Sequence, residues 1–160
     1  MSMRDYELAA NMMEEHPNTM DFIGPRPESL VRTAEQALGV TFPPTYRRFL
    51  LEYGAGGFGS SEIYGVIDEN FEESSIPDAI WYTLTERKEV NLPNGLVVIY
   101  AVGDGGLYCL DLQSKKVDEA PVVVYEPGLP NEEQFYEVVA KDFGEFLLDL
   151  VQREINWMRS

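Results

Sequence analysis

Histidine and cysteine are almost absent from this chain: His16 and Cys109 are the only ones among its 160 residues. A single cysteine excludes an intrachain disulfide and any multi-cysteine zinc site. Cys109 lies in LYCLDL, alternating with Tyr108 and Leu110, and reads as a strand thiol that behaves as a small buried hydrophobe. His16 lies in EEHPN, where the following proline favours a helix end and offers no evident nucleophile or carboxylate to work with. Ser-His-Asp and Cys-His relays are therefore not assembled convincingly. Long apolar runs are missing too, since none approaches the roughly 20 residues that cross a bilayer. The opening MSMRDYELAANMMEEHPNTM carries acids where a signal peptide wants an uninterrupted apolar stretch. The expectation is a soluble, unexported, cytoplasmic protein.

Bases are scarce as well. Twelve Lys and Arg face 28 Asp and Glu, for a net charge of −16. A field of that sign repels nucleic-acid phosphates and anionic membranes and favours association with a basic protein. The distribution sharpens this: Phe49 to Thr85 holds seven acids and no base, and Val117 to Ala140 holds six acids and no base. Solubility alone is the competing explanation for such acidity.

What is present suits one packed domain of α+β class. The chain is 44% apolar and 12% aromatic, enough to bury about two thirds of its unfolded surface at this length. Helical spacing of Tyr6, Ala9, Met12 and Met13 predicts a helix over about 4–15, closed by HPN. ESLVRTAEQALGV reads as a second helix, with a stripe through Leu30, Val31, Ala34, Ala37 and Leu38 and a stop at Gly39. TFPPTYRRFLLEYG reads as a third, entered through its prolines and ended by Gly54. SEIYGVI alternates as a strand, with Ile63 and Val66 or Tyr64 and Ile67 inward. IPDAIWYTLTERKEV reads as a helix with Ser75 as the cap and Pro77 at its start. LVVIYAVG, GLYCLDL and PVVVYEPG make an antiparallel meander whose first turn is Asp104-Gly105. Phe135 to Ala140 fits either a short strand or the front of a longer helix. Asp142 and Glu145 approximate a capping box before a terminal helix over 143 to about 157. The sheet is expected to have about four to six strands, flanked by helices.

Gly54, Gly56 and Gly59 satisfy G-x-G-x-x-G within LEYGAGGFGSSEIYG. The phosphate-binding mechanism of that motif requires a strand before the glycines and a helix N-terminus after them. Here the order is helix, glycines, strand. The stretch is therefore read as a flexible corner, and no cofactor is expected. DENFEE at 68–73 superficially matches a calcium loop, but position 6 counted from Asp68 is Glu73 and position 12 is Ala79, where glycine and an acid are required; no metal is expected. Carboxylate pairs such as Asp104 with Asp111, or Glu62 with Asp68, offer acid/base chemistry, yet carboxylates are so abundant that a nearby pair is expected by chance. Trp81 and Trp157, each in an apolar helical stripe, read as core.

The stretch LGVTFPPTYRRFLLEYGAGGFGSSEIYG resembles the signature of the SUKH superfamily. LVVIYAVGDGGLYCLDL is similar to that superfamily's central hairpin and KDFGEFLLDLV to its closing helix, and the nearest likeness is to its bacterial antitoxin members. The resemblance implies an α+β fold with an antiparallel-rich sheet flanked by helices. It also implies a non-enzymatic immunity protein that binds a toxin, often a nuclease, and holds it inactive. The superfamily also includes regulators of cell-wall synthesis, which leaves a regulatory or scaffolding module that binds a cellular protein as the alternative. On the toxin reading, an acidic surface occludes the toxin's substrate groove by imitating phosphates. The candidate partner-binding residues are Asp68, Glu69, Glu72 and Glu73, flanked by Glu62 and Asp78, with Phe71 as an aromatic anchor. Each of these also fits a solvated loop whose phenylalanine folds back into the core.

Overall fold

The structure is a computed structural model and describes residues 2–103, 105–113 and 118–159. The helices are α1 (Ser2–Glu14), α2 (Glu28–Leu38), α3 (Pro44–Glu52), α4 (Ala79–Val90) and α5 (Phe143–Met158). The strands are β1 (Met20–Phe22), β2 (Gly56–Phe58), β3 (Ser61–Ile63), β4 (Leu96–Ala101), β5 (Leu107–Asp111), β6 (Val122–Tyr125) and β7 (Val138–Ala140). They form two antiparallel sheets, one of three strands ordered β1-β2-β3 and one of four ordered β4-β5-β6-β7. The α+β class with a closing helix is as the sequence predicts, while the expected single sheet is divided in two.

The two sheets meet at one contact between segments distant in sequence. Tyr64 leaves β3 by donating its N–H to the Ile99 carbonyl at 2.8 Å. Ile99 is the extra residue where the β4–β5 register shifts between Val98 and Tyr100, and a bulged residue is unpaired in its own ladder. One bond thus joins the sheets where the predicted strand SEIYGVI would have run on, so that strand stops at Ile63.

The four-stranded sheet is covered on both faces, which explains the unbroken apolar run LVVI. Val97, Ile99, Leu110 and Val122 join the main core with α1, α2, α3 and α5, whose centre is Tyr46, Phe49, Phe143 and Leu147. Leu96, Val98, Cys109, Val123 and Tyr125 face a smaller core beneath α4. Thr83 of α4 is fully buried and its hydroxyl accepts the Val98 N–H at 3.0 Å. Tyr46 also stacks edge-on to Phe143 and donates its hydroxyl to the Tyr64 carbonyl at 2.9 Å.

The glycine stretch is more ordered than a flexible corner. Gly54 adopts φ 74 and donates its N–H to Phe49 and Leu50 at 3.2 and 3.1 Å, the left-handed helix stop that the sequence predicts. Gly56 to Phe58 then form β2, the central strand of the small sheet, between β1 and β3. β1 itself, MDF, lies in a stretch to which the sequence reading assigns no element. Val66 donates to the Gly54 carbonyl at 3.0 Å, and a Cβ on Gly65 would strike that same carbonyl. Gly65 is required because two backbones touch there.

Helix starts follow the sequence with one correction. α5 is capped by Asp142, whose Oδ1 accepts the Glu145 N–H at 2.9 Å, and Glu145 reaches back to the Lys141 N–H at 2.8 Å. α4 is capped by Asp78 rather than Ser75 and begins at Ala79, with Pro77 outside it: the Asp78 Oδ1 accepts the N–H groups of Ile80 and Trp81 at 2.9 and 3.0 Å. Trp157 is 75% exposed, against the expectation of a core position, because the stripe of α5 that meets the core ends at Ile155. The Asp104-Gly105 turn falls partly outside the described residues, since Asp104 is not among them.

Candidate functional site

Catalytic groups are poorly placed. Cys109 is fully buried, and burial, with Asp111 and Glu86 nearby, drives its thiol far above the ordinary range, the opposite of an activated thiolate. His16 sits between α1 and the short 3-10 turn Pro17–Thr19. Among the described residues no group of three or more His, Cys, Asp or Glu is arranged to hold a metal ion. The pair Asp104 and Asp111 lies partly outside the described residues, and Asp111 is occupied with the Gln113 amide at 3.0 Å.

A cleft of about 960 Å³ opens between the α2–α3 connection, the start of β4 and the end of β5, with Glu35, Phe42, Asn94, Gln113 and Glu119 in its lining. Two of its carboxylates, Glu35 and Glu119, are already engaged, while a third, Asp118, is exposed. Glu35 accepts the Phe42 N–H at 2.7 Å and pairs with Arg47. Glu119 accepts both the N–H and the hydroxyl of Thr45, at 3.0 and 2.8 Å, and so caps α3 from a distant loop. Burial raises the Glu119 carboxyl above its usual range, the Thr45 donors oppose that, and Asp142 and Asp118 add to it. Glu35 and Glu119 thus serve the framework of the cleft.

The first base-free window places most of its acids outside. Glu62, Asp68, Glu69, Glu72 and Glu73 are exposed and form no ion pair among the described residues. Their loop is fixed at both ends: Gly65 donates to Pro77 at 2.9 Å, Ala79 donates to Gly65 at 2.7 Å, and the Arg26 guanidinium donates to the Ile67 carbonyl at 2.8 Å. An Asx turn from Asp68 to the Asn70 N–H, 2.8 Å, shapes the middle.

Two of the sequence candidates are not at the surface. Phe71 is 8% exposed and belongs to the main core, so it pins the loop inward and is unavailable as an anchor. Asp78 is fully buried. Burial raises its carboxyl above the ordinary value, against the Trp81 and Ile80 amides and Ser74. Its work is the helix cap.

The second window holds the residue that the sequence reading passed over. Asp118, Glu126, Glu132, Glu133 and Glu137 are exposed and likewise form no ion pair among the described residues. In their midst Phe135 is 88% exposed. Its signal was available: NEEQFYE repeats the acid-flanked phenylalanine of DENFEE.

Comparison with known proteins agrees with this architecture. A family model described as SMI1-KNR4 cell-wall, of the SUKH group, matches residues 6–152. The chain belongs to that family. A crystal structure of a protein from Pseudomonas syringae pv. tomato has the same fold, with a TM-score of 0.62 at 18% identity over 89% of this chain and 98% of that one. No helix among the described residues is long and apolar enough to cross a membrane.

Proposed function

We propose that this protein is an immunity protein that binds a cognate toxin, a nuclease with a basic substrate groove, and neutralises it by occupying that groove without catalysis. Family membership supports the class, since the SUKH group includes immunity proteins. The observation that carries the reading is the set of exposed acids in two base-free windows, none of them neutralised by a described cation apart from Glu52, which meets Arg48 at 3.3 Å. Long-range steering by such a surface raises association rates above the neutral range of about 10⁵ to 10⁶ per molar per second and is weakened by salt. On this reading Glu62, Asp68, Glu69, Glu72 and Glu73 contribute charge to the toxin-facing side.

The test is expression of the product of the adjacent gene with and without this chain, scored as growth. Growth arrest relieved by the chain is expected; equal arrest in both cultures contradicts the reading. The family's cell-wall description supports a second reading, a regulatory module that binds a cellular protein, and a neighbouring product with no toxicity of its own favours that one.

A further inference from the structure

The two acid-flanked phenylalanines are treated oppositely: Phe71 is 8% exposed and Phe135 88%. An aromatic ring left in water on a soft loop would carry little meaning, because single exposed hydrophobes are ordinary. The segment that presents Phe135 is not soft. The Gln134 side chain accepts the Glu126 N–H at 2.9 Å and donates to the carbonyls of Glu126 and Leu129 at 2.6 and 3.0 Å. Asn131 accepts the Tyr125 hydroxyl at 3.0 Å and donates to the Asn91 carbonyl at 2.9 Å. Val124 donates to the Glu137 carbonyl at 2.9 Å. Tyr136 adopts φ 55 and packs against the smaller core, so the chain holds a non-glycine residue in the left-handed region, tyrosine inward, directly beside the exposed phenylalanine. Leu129 and Val138 add exposed apolar surface at 43% and 61%, and β7 is the edge of its sheet, paired only with β6.

We propose that Phe135 is the apolar anchor of a docking surface for a basic protein, with Glu132, Glu133 and Glu137 as its charged rim. This rests on the antitoxin reading and names where the toxin is gripped. The rim, which forms no ion pair among the described residues, selects the occupant. A second copy of this chain would set like charges against each other, and a phosphate backbone or anionic bilayer would be repelled in the same way. A basic protein surface with an apolar hollow satisfies both the ring and the rim. A ring carried on a main chain already held by hydrogen bonds leaves less backbone freedom to be lost on binding.

The experiment measures binding kinetics of the adjacent gene's product, inactivated at its active site, to the intact chain and three variants, alongside growth rescue by each. Phe135→Ala is expected to weaken binding at least about 30-fold, mostly through faster dissociation, with an unchanged unfolding midpoint. Phe135→Leu is expected to recover part of the loss. The triple change Glu132→Lys, Glu133→Lys and Glu137→Lys is expected to slow association and flatten its salt dependence. Binding by Phe135→Ala within about twofold of the unaltered chain, which is the size of effect expected of a neutral contact, overturns the proposal while leaving the antitoxin reading intact. An unaltered chain that neither binds nor rescues overturns both.

Discussion

The two base-free windows, 49–85 and 117–140, look alike as sequence and are built by different means. The first is anchored by its backbone and by a buried ring: Gly65 lies against Gly54, Ala79 and Pro77 close the loop, and Phe71 sits in the main core. The second is anchored by polar side chains, Gln134 and Asn131, and by Tyr136. Where glutamine and asparagine hold the main chain, the adjacent phenylalanine is not needed to hold it. Acid-rich composition therefore does not by itself tell a structural loop from a presenting one; what fixes the backbone does.

Breaking the first anchor should produce the largest effect. Gly65→Ala places a methyl against the Gly54 carbonyl and is expected to lower unfolding free energy by about 3 kcal/mol or more. Phe71→Ala is expected to lose about 3 kcal/mol, whereas Phe135→Ala should stay within about 0.5 kcal/mol. Chemical denaturation of the three variants checks this, and equal losses for the two phenylalanines would erase the distinction between the windows. Asp78→Ala removes the α4 cap and should cost about 1 to 2 kcal/mol, while Glu72→Ala and Glu73→Ala, on the same loop but exposed, should cost under about 0.5 kcal/mol.

The response to pH is a distributed effect carried by several carboxyls at once. Burial is the chief cause holding Asp78, Glu86, Glu119 and Asp149 above the ordinary carboxylate range. Glu154 lies below it, because donors from Ser60 and Ser61 outweigh the effect of its burial. Between the unfolded and the raised folded values the folded state binds more protons, so stability falls as pH rises through that window. Thermal melts should shift upward as pH is lowered from neutrality toward the ordinary carboxylate range. At lower pH, protonation of Glu154 through its lowered value removes the hold of α5 on the β2–β3 turn and reverses the trend. A midpoint that falls steadily as pH is lowered from neutrality, with no initial rise, contradicts the assignment.

Much of this fold was legible because its signals are local. The stripes and stops of α2, α3 and α5, the capping pair Asp142 and Glu145, and the strands around Cys109 follow from spacing within a few residues. The split into two sheets was not legible, since it depends on a bulge at Ile99 meeting Tyr64, a contact between distant segments. β1 and β2 were hidden for a related reason: MDF and GGF have little strand character and are held by each other. At the candidate surface, the exposed acids were readable from charge pattern alone. The inward turn of Phe71 was one of two readings that the sequence left open, because a phenylalanine in an acidic loop carries no mark of which way its backbone will turn it, and the burial of Asp78 was not foreseen.

Hydrogen exchange across the chain, alone and bound to the adjacent gene's product, tests the central claim most directly. The account predicts that protection gained on binding is strongest over residues 131–138, centred on Phe135, with a weaker gain over 68–73. Protection confined to other surfaces, with no change at either acidic window, would contradict it.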